Sequence, residues 1–177
     1  MTAAAPKIVA VLDACVLYPP SLRDLLLWLA TVEAYEPRWT EEIHGEWTRN
    51  VLADHPDVTP AQLDRTRRLM SQAVPKGLVS GYEARIPLLS LPDADDRHVL
   101  AAAIEAGAAV IVTSNLSDFP AATLGAHGVD MVLNRCIPTF FFRHFLTVRR
   151  LCFCGGCSST GPPYATRPRQ RRTASRY

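Results

Sequence analysis

Two short apolar runs constrain this chain more than anything else in it: Lys7 to Leu12 reads K-I-V-A-V-L, and Ala109 to Val112 reads A-V-I-V. Neither alternates with polar residues, which is the pattern of a strand buried on both faces, and such strands belong to parallel sheets covered by helices. The segments between them supply those helices. Leu22, Leu25, Leu26 and Leu29 recur at helical spacing beside Trp28, after Ser21 as a predicted N-cap. Thr40 caps a second helix, in which Ile43, Trp47 and Val51 share one face and Glu42 and Glu46 another. Thr59, Pro60 and Gln62 form a capping-box start for a third helix, through Leu63 and Leu69 to about Val74. From Lys76 to Leu91, Gly77, Gly81 and Pro87 predict only strand or loop. Asp93 or Asp95 then caps a helix through Val99, Leu100, Ala103 and Ile104 to a stop at Gly107. Strands alternating with helices predict an α/β sandwich, a mainly parallel central sheet flanked by helices.

The chain has 177 residues, enough for one core. No apolar run approaches the ~20 residues that span a bilayer. The opening stretch lacks the long apolar run and cleavage site of a secretory signal, so a cytoplasmic protein with no membrane partner is expected. Charge divides the sequence sharply. Residues 1–134 hold all 17 acidic and ten basic side chains, a net −7, while residues 135–177 hold nine arginines and no acid, a net +9. Residues 1–133 are therefore read as the folded domain and 134–177 as a basic, Cys- and Arg-rich tail. Five cysteines, an odd number, in a reducing compartment do not suggest a disulfide framework.

The acids recur where one crevice would need them. Ligands in open parallel sheets bind beyond the carboxyl ends of the strands, and Asp13 and the Thr113 to Asp118 loop each follow such an end. Glu46 or Glu42, on the second helix, and Asp95 with Asp96, at the start of the later one, complete the set. Hard divalent ions take oxygen ligands, and converging carboxylates without an ion would repel and take up protons. A bound magnesium would lower the pKa of a water and stabilise charge developing in phosphodiester displacement. Each acid also has a plainer reading: Asp93, Asp95 and Asp96 as helix caps, Glu41, Glu42 and Glu46 as a solvated face, Asp118 as a turn residue. Asp13 resists that reading, because Ala14 and Cys15 are not turn residues. His44 and His98 read as solvated or packing residues, and the tryptophans as core or dimer-interface residues.

Four ordered blocks resemble the PIN-domain family, and within it the VapC-like toxins of type II toxin-antitoxin pairs. They are V-L-D-A-C-V-L-Y-P at 11–19, E-W-T-R-N-V-L at 46–52, D-A-D-D-R-H-V-L-A-A-A at 93–103 and V-T-S-N-L-S-D-F-P at 112–120, within a likeness covering about 7–130. The resemblance implies a ribonuclease dependent on Mg2+ or Mn2+. Asp13, Glu46 and Asp96 match the first three acidic motifs, with Asp95 as a neighbour of the third. In the fourth block Asp118 is taken to supply the charge, with Asn115 as a neutral ligand or water-positioning group and Ser114 in support. The resemblance also implies an RNA substrate, a cognate antitoxin and a homodimer. Its alternatives are a catalytically inactive RNA- or antitoxin-binding module, or a metal-dependent phosphatase or DNA nuclease.

The resemblance stops where the basic tail begins. Cys152, Cys154, Cys157 and His144 offer a zinc half-site without its second half, so no zinc is expected. Arg167, Arg169, Arg171 and Arg172 could hold RNA non-specifically. Arginine without lysine or acid is also what a G/C-rich gene yields when read out of frame. Residues 134–177 are expected to be such an extension, disordered from Gly161 onward; the gene's other frames after Asp130 test this.

Overall fold

Three consecutive buried apolar residues, Ala10, Val11 and Leu12, make β1 (Val9–Leu12) the central strand that the first apolar run predicts. The computed structural model describes residues 7–133 and Cys136. The sheet order is β2-β1-β3-β4 and every pairing is parallel. β1 pairs on one side with β2 (Glu36–Arg38), Val11 opposite Arg38, and on the other with β3 (Val110–Thr113), Val11 opposite Ile111. β4 (Asp130–Leu133) closes the far edge against β3. The predicted α/β sandwich is thus the observed fold.

Helices cover this sheet as the amphipathic patterns require. α2 (Pro20–Thr31) packs on β2, α3 (Glu41–Asp54) packs on α4 (Pro60–Ala73), and α5 (Arg97–Glu105) lies across β1 and β3. Ile43, Trp47 and Val51 are buried as a stripe, and Thr40 accepts the Ile43 N–H at 3.1 Å, so this helix starts where its cap residue placed it. Gln62 accepts from the Thr59 N–H at 2.7 Å, its half of the capping box. Gly107 ends the unit after α5 at φ +59, a left-handed conformation glycine adopts freely. No helix among the described residues is long and apolar enough to cross a membrane.

Several local expectations are corrected. α2 begins at Pro20 after Pro19, so Ser21 lies inside the helix and does not cap it; proline suits the first helical position, where no N–H is needed. Asp96, and neither Asp93 nor Asp95, holds the N-cap position of α5, with no side-chain capping bond. Lys76–Leu91 contains a short 3-10 helix (Glu83–Leu88) and one bridge, Leu78 to Trp39. Leu69 is exposed and Met70 is buried in its place. β2 reads E-P-R, a strand without an apolar signature; Pro37 is tolerated there because β2 is an edge strand. The single-turn α1 (Ala14–Leu17) and the short α6 (Ala121–Ala126) also escaped the periodicity argument. Trp39 and Trp47 are core residues, whereas Trp28 stands 59% exposed. The zinc half-site and the disordered end expected of the tail lie outside the described residues.

Candidate metal centre

The order in which strands are added reverses at β1. Its partner β2 follows it in sequence on one side, and β3 arrives on the other, so a crevice opens beyond the carboxyl ends of β1 and β3. Asp13 and Thr113 stand at those ends, and the Asp13 N–H donates to the Val112 carbonyl at 3.1 Å, which fixes their separation. Both are buried.

Asp13 is held on both carboxylate oxygens. Its Oδ1 accepts from the Ala14 N–H at 2.6 Å, as the N-cap of α1, which gives it a local structural role as well. Its Oδ2 accepts from the Thr113 hydroxyl at 2.6 Å and from the Cys15 thiol at 3.0 Å. Burial and the adjacent Asp13 charge push the Cys15 thiol up to about 11, opposed by bonds with Thr113 and the Ser114 N–H, so the sulfur keeps the proton it donates. The Asn115 N–H donates to Thr113 Oγ1 at 3.0 Å, leaving that hydroxyl free to point its own proton at Asp13.

Asp96 and Asp118 come together, and the third member of their group is Asp93. One carboxylate oxygen from each of the three lies within 4.8 Å of the others. Burial, then the charges of Asp13, Asp118 and Asp93, push the Asp96 carboxyl up to about 7. That places Asp13 in electrostatic contact with the group although it is not part of the tightest cluster. Asp118 also accepts from the Asn115 side-chain amide, and Asn115 Oδ1 accepts from Ser117 at 3.0 Å. Asp95 is not one of the three: it is exposed, and its N–H donates to Asp93 Oδ1 at 2.9 Å, bracing the turn. Ser114 is exposed and gives its N–H to Cys15 Sγ at 3.1 Å.

Glu46 is engaged differently from the expectation. Its Oε1 lies 3.1 Å from His98 Nε2, and Glu42 Oε2 lies 3.6 Å from His98 Nδ1. His98 is only 3% exposed. Burial lowers its affinity for a proton, but the Glu46 bond and the charges of Glu46, Glu42 and Asp13 together outweigh that and raise it. Sequence reading missed three participants. In the sequence Asp93 reads as a cap, His98 as a packing or solvated residue and Cys15 as a residue unsuited to a turn; the three-residue spacing of Asp93 and Asp96 is the available signal. The geometry leaves a cluster of neighbouring acids, with Asp96 alone pushed toward protonation, beside a buried histidine.

The sequence matches the PIN domain family over residues 9–117. The chain belongs to the PIN-domain family. No curated protein and no solved structure matches it. The match takes in β1, β3 and every acid discussed except Asp118, one residue beyond it. PIN domains are generally nucleases that bind divalent metals, and the residues present fit such an ion. Their donors are all carboxylate oxygens, the set that hard cations take, and Asp96 is pushed toward protonation by burial and then by the repulsion of its neighbours, which a cation would relieve.

Proposed function

We propose that this PIN domain is a Mg2+- or Mn2+-dependent endoribonuclease and the toxin of a toxin-antitoxin pair. The observation that carries the nuclease reading is the convergence of Asp93, Asp96 and Asp118, with Asp13 close enough to raise Asp96, at the switch point of a parallel sheet. Asp13, Asp96 and Asp118 would hold the ion, Asp93 can share that task, and Glu46 would join through a change of partner from His98. When bound, the ion supplies a Lewis acid that activates water and offsets charge on a phosphodiester. Thr113 and Cys15 orient Asp13, and Asn115 orients Asp118. When protonated, His98 would offset part of the charge of Glu42 and Glu46. For the toxin reading the support is the order and spacing of the four acidic blocks. An exposed apolar stripe, Leu25 and Trp28 on α2 with Val32 just past its end, supports a protein partner there, an antitoxin or a second copy in a homodimer. A cytoplasmic location accords with this reading.

The test is cleavage of labelled single-stranded RNA by purified protein with magnesium, manganese or excess chelator, alongside single- and double-stranded DNA and a phosphomonoester. Cation-dependent cleavage of RNA alone is the expected result. Folded protein that binds manganese but cuts nothing would replace this reading with that of a binding module.

A further inference from the structure

On the face of α3 turned away from Glu46, buried N–H donors gather without an acceptor. Five buried side-chain polar atoms among the described residues have no hydrogen-bond partner, and four of them belong to His44 and residues near it: Arg23 Nε, Trp39 Nε1, His44 Nε2 and Arg67 Nε. The Trp39 and His44 rings lie 5.7 Å apart, the His44 and Trp47 rings 6.0 Å apart, and the Arg23 guanidinium sits 4.8 Å over Trp47. His44 is 2% exposed, and its Nδ1 accepts the Trp47 indole N–H at 2.9 Å. Burial, with Arg67 and Arg23 nearby, lowers its pKa to about 4, so the ring is neutral and its one proton is on Nε2. All four unanswered groups are therefore donors, and two belong to guanidiniums.

Buried polar groups are normally paired, so a gathering of donors alone calls for an acceptor. His44 and Arg67 line a groove of about 400 Å³ between α3 and α4, together with Arg68, Ser71, Gln72, Glu41 and Asp64. Arg67 is paired at its outer end with the exposed Glu41, and Arg68 has no acidic partner among the described residues. In helical spacing His44 and Glu46 stand about 200° apart, so this groove is separate from the acid cluster. We propose that the groove between α3 and α4 binds a phosphate-type oxyanion, taken by Arg67 and Arg68 with His44 as a buried neutral donor. The anion takes over Arg67 from Glu41, whose exposed pairing is weakly held. Ser71 and Gln72 add neutral hydrogen-bonding groups at the rim. The site stands independently of the metal reading, and two sources share its chemistry: free inorganic phosphate, and the phosphate of a mononucleotide.

The full-length, metal-free protein labelled with 15N tests this by titration with inorganic phosphate and with a nucleoside 5′-monophosphate, at ionic strength fixed with chloride. Side-chain N–H resonances of Trp39, His44 and Arg67 are expected to move along one saturable curve with phosphate and to stay still with chloride. Arg67→Gln, at a half-exposed position, should weaken binding about tenfold or more while leaving manganese affinity unchanged. Arg68→Gln should weaken it less. Equal affinity for both ligands assigns the site to the free anion, and tighter mononucleotide binding assigns it to a nucleotide's phosphate. No saturable shift with either, or undiminished affinity in Arg67→Gln, overturns the proposal and leaves the donors to ordered water.

Discussion

Asp96 carries the clearest conflict between stability and chemistry. Its carboxyl is raised to about 7 in the folded chain, against an ordinary value near 3.9 in the unfolded one. The folded state then binds the extra proton between those values, so stability falls as pH rises through that window and the penalty is fully present above about 7. Asp96→Asn should therefore stabilise the ion-free protein at pH 8 by roughly 1 to 2 kcal/mol after solvent screening, and by little near pH 4. Denaturation midpoints at the two pH values check this; an equal gain at both would remove the repulsion argument. The same substitution should weaken manganese binding, because it deletes a charged ligand. His98 has the opposite sign. Its raised pKa adds stability that is present below about 6.5 and is lost as pH rises through the folded value. Wild type should accordingly lose its advantage over His98→Gln as pH rises above about 6.5, and a constant difference would mean that packing alone explains the residue.

At the scale of elements, α3 is the organising piece. One helix carries Glu42 and Glu46 toward His98, Trp47 into the core and His44 into the groove against α4. Its start is held by Thr40, next to Trp39, whose ring lies close against Gly77: a Cβ built there would sit 2.6 Å from the indole. Gly77→Ala should cost about 1 to 3 kcal/mol and shift Trp39 fluorescence, since a fully buried indole has nowhere to move. A change below about 0.5 kcal/mol would show that the loop relaxes freely. This contact was invisible in the sequence, where Gly77 read only as a loop signal. The helices were legible because their caps and apolar stripes are local features; β2 was not, because an edge strand needs no apolar pattern and here contains proline.

For the molecule as a whole, ion and fold are linked. A cation that binds the acid cluster only in the folded state raises the melting temperature, by about 2.7 kcal/mol equivalent at a hundred times its Kd. Manganese should raise the melting point, chelator should reverse it, and a chain ending at Leu133 should respond as the full chain does, because the described acids and all four strands lie before that point. A response confined to the full-length chain would give the tail a part in the site. The sequence by itself determined the parallel α/β class, the main helices and the acids at strand ends, because burial pattern, capping and strand-end chemistry act over a few neighbouring residues. Which acids meet was decided by the tertiary structure. Asp93 joins Asp96 and Asp118 through a turn, Thr113 reaches Asp13 across a hundred positions, and Glu46 meets His98 across two helices. Those distances follow from strand order and helix packing, long-range terms that no local pattern encodes.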